Sequence, residues 1–176
     1  MPPPAGVDSA AHLVDSRRAQ VLDALGPTIQ VMTSARGADG DPCVLRWTIP
    51  PRVSVPLHSH PDTETYLPLS GELEGLVETV EGFYWISIVP GDVFHVPANA
   101  KHALRNRSDI PAVAYVATTS RMARFFEESG APVGRRGETA WPPADDTLRR
   151  FAAAARHYGY WMATRRQNAE VGVRLG

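Results

Sequence analysis

Three residues in the stretch PLHSHPDTETYLPLSGEL, which begins at Pro56, could share one piece of chemistry: His58, His60 and Glu64. The chain has only six histidines, yet two stand one residue apart in a segment otherwise suited to β-structure. In a strand, residues i and i+2 point to the same face, so His58 and His60 converge. Buried imidazoles need partners for their ring nitrogens, and a shared divalent metal satisfies both. Glu64 follows Pro61-Asp62-Thr63, a short polar break after which the chain can re-enter the sheet with a carboxylate facing the same cavity. Asp62 is the competing carboxylate, but it sits in the break, where Asp is favoured for local backbone bonding. His102 opens the run HALRN, and a histidine at the start of a neighbouring strand can face the same interior, as a fourth ligand. Cys43 is the only cysteine. An intramolecular disulfide and a thiolate-cluster metal site are therefore excluded, and metal chemistry must use nitrogen and oxygen ligands. Cys43 itself reads as a small buried hydrophobe, since no local motif would activate it.

The elements that must hold these residues are short strands. From Pro27 to about Ser120 the runs TIQVMTS, PCVLRWTI, GELEGLVETV, FYWISIV, VFHVP, HALRN and AVAYVATT follow one another, cut by turn signals such as PP, EG and PGD. Strands at this spacing without helices between them indicate an antiparallel sandwich or barrel. Before them, SAAHLVDSRRAQVLDALG carries Leu13, Val14, Val21, Leu22 and Leu25 at helical spacing. This predicts a helix over 9–25, capped by Asp8 or Ser9, stopped at Gly26-Pro27 and carrying a partly exposed His12. After them, RMARFFEESG predicts a short helix ended by Gly130, APVGRRGETAWPPA a loop without packed structure, and TLRRFAAAARHY a last helix capped by Asp145 or Asp146 and closed by Gly159. The tail YWMATRRQNAEVGVRLG has no clear pattern. The expected organisation is a helical extension at 1–27, a barrel at 28–120 and a second helical extension at 121–176 packing on the barrel. At 176 residues the chain holds one sizeable core, and no internal repeat is present.

Two motifs resemble those of the cupin superfamily. His58-x-His60-xxx-Glu64-x6-Gly71 is similar to its first motif, and Gly91-x5-Pro97-x-Asn99-xx-His102-xxx-Asn106 to its second. One position departs from the pattern: Asn99 replaces a glycine, and Asn is the residue that next best tolerates a left-handed backbone. The resemblance implies an all-β core, a double-stranded β-helix or jelly-roll barrel of the RmlC-like kind, flanked here by N- and C-terminal α-helices. It also implies one divalent transition metal held inside by His58, His60, Glu64 and His102. Iron, manganese, nickel, copper or zinc would all suit this donor set. The segment TTSRMARFFEESGAP is similar to the one that follows the barrel in single-domain bacterial cupins related to quercetin dioxygenases. That likeness implies a metal-dependent dioxygenase acting on a small aromatic or enolisable substrate, with Glu64 doubling as ligand and general base.

Strand parity extends the site. Tyr66, two residues past Glu64, is expected to face inward, as is His95 counted from Val93; both are candidates for substrate contact and proton transfer, and Leu104 shares the parity of His102 as a third substrate-side residue. Phe125, Phe126, Tyr158, Tyr160 and Trp161 could cover the barrel mouth or simply pack helices onto the barrel. The alternative functions are a non-oxidative metal cupin, such as an isomerase, lyase or polyketide-type cyclase, and a ligand-binding cupin without catalysis. A formal net charge of -1 disfavours nucleic acid and anionic membrane surfaces as partners. With no basic region or apolar run in MPPPAGVDSA and no stretch apolar enough to span a bilayer, a cytoplasmic location is expected. The expected partners are a small-molecule substrate and a second copy of the chain in a homodimer, because exposed sheet edges invite pairing.

Overall fold

Every second residue of PCVLRWTI is apolar, and Cys43, Leu45, Trp47 and Ile49 all enter one core while Val44, Arg46 and Thr48 are only half-buried. This is the period-2 pattern of a strand covered on one face. The computed structural model describes residues 11–33, 35–133 and 145–173. In chain order its strands are β1 (Leu22–Asp23), β2 (Thr28–Val31), β3 (Pro42–Ile49), β4 (Ser54–Ser59), β5 (Glu64–Ser70), β6 (Leu73–Thr79), β7 (Gly82–Ile88), β8 (Phe94–Val96), β9 (His102–Arg105) and β10 (Ala112–Thr119). There follow α1 (Ser120–Ser129), β11 (Ala131–Pro132), α2 (Asp145–His157), β12 (Trp161–Met162) and α3 (Arg165–Glu170).

The strands form two antiparallel sheets, ordered β11-β1-β2-β3-β10-β5-β8 and β12-β4-β9-β6-β7. Their inner faces enclose the core, as in a jelly roll. Large and small side chains alternate across it: Ala114 of β10 lies opposite Trp47 of β3, which leaves room for the indole to meet Tyr66 and Phe126 edge-on at 5.8 and 5.6 Å. Gly71 turns β5 into β6 with φ +75, and a Cβ there would lie 2.6 Å from the Pro111 carbonyl oxygen. No helix among the described residues is long and apolar enough to cross a membrane.

The helix expected over 9–25 is not formed in residues 11–25, which hold a turn and β1 instead; its expected caps at Asp8 and Ser9 lie outside the described residues. Three local facts displace it. Leu22 is buried by pairing with Ile29 and Pro132 at the sheet edge, while Leu13 is 93% exposed, so the supposed apolar stripe has no common surface to cover. The Gln30 amide donates to the carbonyls of Ser16 and Ala19, holding them in a non-helical course. Leu25 takes φ +63, which ends any helix.

The C-terminal side is helical as expected, although it also contributes strands. Thr119 caps α1, and Met122, Phe125 and Phe126 bury its apolar face. Ala154 and Ala155 bury the inner face of α2, and Gly159, at φ +74, turns the chain after it. Of the proline-rich loop, Ala131–Pro132 pairs with β1, and residues 134–144 lie outside the described residues. The tail that showed no pattern forms β12 and α3. Asn168, fully buried, fixes it: its side-chain oxygen accepts from Leu57 N at 2.8 Å and its amide donates to the carbonyls of Ala163 and Thr164.

Candidate metal centre

His58 ends the inward face of β4 and His102 opens β9; the two are direct cross-strand partners, with ring centroids 4.2 Å apart. His60 follows β4, and its ring lies 5.1 Å from that of His102 and 5.4 Å from that of His58. One donor atom from each of the three falls within 4.8 Å of the others. All three histidines and Glu64, the first residue of β5, are buried. The turn that delivers His102 is tied to the one that delivers His60, because Asn99 N donates to the His60 carbonyl at 2.7 Å. Asn99 holds φ +63, the left-handed conformation expected of the residue standing in place of glycine.

The outer nitrogens set the tautomers. Each Nδ1 faces a backbone carbonyl: Pro56 for His58 at 2.8 Å, Asp62 for His60 at 2.9 Å and Ala100 for His102 at 2.9 Å. A carbonyl can only accept, so each Nδ1 carries the proton and, in the neutral ring, each Nε2 presents a lone pair to the interior. Glu64 Oε2 lies 3.2 Å from His60 Nε2 and 3.0 Å from His102 Nε2, the latter off the direction of a hydrogen bond, so that His102 Nε2 is buried without one.

Burial pushes the His58 ring well below its ordinary pKa, with the charges of His102 and His60 acting the same way, so His58 is neutral. For His60, burial acts downward too, but the bond to Glu64 and the charges of Glu64 and Asp62 prevail and raise it. Burial alone would raise the Glu64 carboxyl; the adjoining His102 and His60 outweigh it and hold the group far below the usual carboxylate range. Burial, then the charge of the Glu64 carboxylate, keep the Tyr66 phenol protonated.

The donor set fits a transition metal. With ligand bonds of about 2.0–2.2 Å, neighbouring ligand atoms lie about 3 Å apart, the separation of the Glu64 oxygen from two of the imidazole nitrogens. Without an ion, His102 Nε2 is buried with no hydrogen bond, an arrangement that carries a desolvation cost. His58, His60 and His102 form a group able to hold a metal ion.

Other expected residues are distributed differently. Tyr66 is inward and 1% exposed. His95 is not: β8 is a three-residue strand whose Phe94 and Val96 face the core, so His95 projects outward, where its Nδ1 pairs with Thr65 Oγ1 at 2.9 Å. Parity counted from Val93 fails because Val93 precedes the strand and is itself 63% exposed. Leu104 is fully buried hydrocarbon opposite Val55 and Gly75. Asp62 turns its carboxylate away from the imidazoles, to Thr119 Oγ1 and to Arg121 Nη1 at 2.7 Å, rather than to its local backbone. Cys43 is buried in the core, and burial pushes its thiol up.

The aromatic residues of the C-terminal segment divide. Phe125, Phe126 and Tyr158 are core, while Trp161 is partly exposed on β12. Tyr160 lies against the centre, its ring 4.9 Å from that of His60 and parallel to that of His58 within 5° at 6.3 Å. Burial, then the charges of Glu64 and Asp62, keep its phenol protonated. Its presence in the aromatic group was legible in the sequence; its place beside the histidines depends on β12 pairing with β4, for which the tail gives no pattern.

Residues 45–118 match the Cupin domain family. The chain is 25% identical over 134 residues to the acireductone dioxygenase of Bacillus licheniformis, covering 71% of this chain and 75% of that protein. In fold it is similar to an RmlC-like cupin from Shewanella frigidimarina, with a TM-score of 0.53 at 15% identity over 66% of this chain and 96% of the other. It is likewise similar to the polyketide cyclase RemF from Streptomyces resistomycificus, with a TM-score of 0.52 at 18% identity over 63% of this chain and 80% of that one. Motifs, paired sheets and inward histidines agree with these likenesses: residues 45–118 carry the match to the Cupin domain family, and the fold is cupin-like, a jelly roll whose sheets are extended at both ends by flanking segments that add strands.

Proposed function

We propose that the protein is a metal-dependent cupin enzyme, a dioxygenase of the quercetinase-like type that acts on a small aromatic or enolisable molecule. The observation that carries this reading is the meeting of three Nε2 atoms, each fixed by a carbonyl behind it, with the Glu64 carboxylate in a buried space. His58, His60, His102 and Glu64 would hold a divalent transition ion, which supplies a Lewis-acidic, redox-capable point with coordination positions left open. Glu64 is the group placed to take the proton of an enolic hydroxyl, since its carboxylate adjoins the imidazoles of His60 and His102. Dioxygen is the oxidant, and both of its atoms end in the product. The dioxygenase named among the relatives supports the reaction class. Metal analysis of protein purified without chelators, followed by oxygen-electrode assays against a flavonol panel, tests the reading. Substrate-dependent oxygen uptake that Glu64→Gln abolishes is expected; uptake unchanged in Glu64→Gln overturns it.

A second reading, a non-oxidative isomerase, lyase or cyclase, is favoured by the two buried phenols, Tyr66 and Tyr160, which adjoin the centre and could move a proton. It requires turnover that is equally fast without oxygen and that tolerates zinc.

A further inference from the structure

Tyr160 lies outside the residues that match the cupin family, yet its ring position is fixed on both sides. Its backbone N–H donates to Ala155 O at 2.8 Å, and two residues on, Met162 pairs with His58 in the β12–β4 ladder. Between these anchors the ring stacks on Phe125, with centroids 4.3 Å apart, and meets His60 on the side of the centre. The Tyr160 hydroxyl is buried and makes no hydrogen bond. Its neighbour Tyr158 differs: that hydroxyl donates to Glu128 at 2.7 Å. A buried phenol without an acceptor costs about 1–3 kcal/mol, and here the chain leaves one beside three converging imidazoles.

We propose that Tyr160 donates a hydrogen bond to a small anionic ligand, of the carboxylate or enolate class, bound at the three-histidine centre, so that the C-terminal segment completes the ligand site. The inference rests on the metal-centre reading above. Tyr160 offers a buried phenolic donor at the centre that a ligand can engage without breaking an existing bond. It would select for ligands with an acceptor atom on the Tyr160 side of the site.

The test uses Co(II) as the metal and azide as a small anion that accepts hydrogen bonds, both followed by visible absorption. In Tyr160→Phe the ring and its stacking on Phe125 remain, so Co(II) should bind as in the original protein, while azide should bind the Co(II) form about tenfold more weakly. Tyr158→Phe, which removes a hydroxyl directed at Glu128, should leave azide affinity unchanged. Equal azide affinity in Tyr160→Phe and the original protein overturns the proposal, as does an equal loss in Tyr158→Phe, which would assign the effect to packing of the tail. Failure of the original protein to take up Co(II) at all refutes the centre itself, and the inference with it.

Discussion

Arg121 reaches from the first turn of α1 to the buried Asp62 carboxylate, with Nη1 2.7 Å from Oδ2. Its other nitrogen donates to the Tyr158 carbonyl, so a single guanidinium links the loop between His60 and Glu64 to the chain just before Tyr160. Removing one partner of such a pair leaves an uncompensated buried charge. Arg121→Ala should lower stability by about 3 kcal/mol, less if water reaches Asp62 from the partly exposed side. Arg121→Lys should fall between, because an ammonium cannot span both acceptors in the same fork. Urea unfolding checks the order; an unchanged midpoint in Arg121→Ala would show that the clasp is idle.

Metal loading should stabilise the fold. The four donors exist as a group only in the native state, so an ion that binds them shifts unfolding by mass action: about 2.7 kcal/mol at a free concentration one hundred times Kd. For a chain of this size that is about 5–10 °C in Tm. Thermal melts of chelator-treated protein with and without Co(II), Ni(II) or Fe(II) should show the rise, and His102→Ala should abolish it. The same rise in His102→Ala would mean that the ion binds elsewhere.

His95→Ala should change little: stability within about 0.5 kcal/mol and turnover as in the original protein, because the side chain points out of the barrel and holds only Thr65. Tyr66→Phe should lower turnover, because it removes the buried phenol beside Glu64. If His95→Ala were instead the inactive variant in a steady-state assay, the outward placement of His95 would have no bearing on function.

The contrast between these two residues shows what the sequence could tell. Tyr66 shares a continuous strand with Glu64, so counting by twos holds. His95 was counted from a residue that stands outside its strand, and three residues are too few for the period to declare itself. That His58, His60 and Glu64 would meet was legible because their spacing within a strand and across one turn is set by backbone geometry. The N-terminal helix failed because a helical period also fits an extended segment whose single buried leucine docks on a sheet edge. The tail could not be placed because its order comes from contacts such as Asn168 with Leu57, far away in sequence.

Turn chemistry gives another pair of expectations. At Gly71, φ is +75 and a Cβ would strike the Pro111 carbonyl, a backbone atom with little freedom to move. Gly71→Ala should therefore cost about 1–3 kcal/mol. At Asn99 the same backbone region is held by an asparagine, so Asn99→Gly should be nearly neutral and Asn99→Ala should cost about 1 kcal/mol. Chemical denaturation of the three variants checks the ranking; an Asn99→Ala as stable as Asn99→Gly would mean that the loop relaxes out of the left-handed conformation.

Asn168 is the residue on which the placement of Tyr160 depends most remotely. Its side chain commits its oxygen to the N–H of Leu57, next to His58, and its amide to two carbonyls of its own segment. Asn168→Ala leaves all three buried or half-buried groups without that partner, a cost of about 1–3 kcal/mol for an unsatisfied group. Because the loss falls on the tail, it should appear as local opening rather than global collapse. Limited proteolysis should cut the variant after residue 158 at protease concentrations that leave the original protein intact, and Co(II) should still bind while azide affinity falls as in Tyr160→Phe. Cleavage confined to the N-terminal segment would instead show that the tail holds without Asn168.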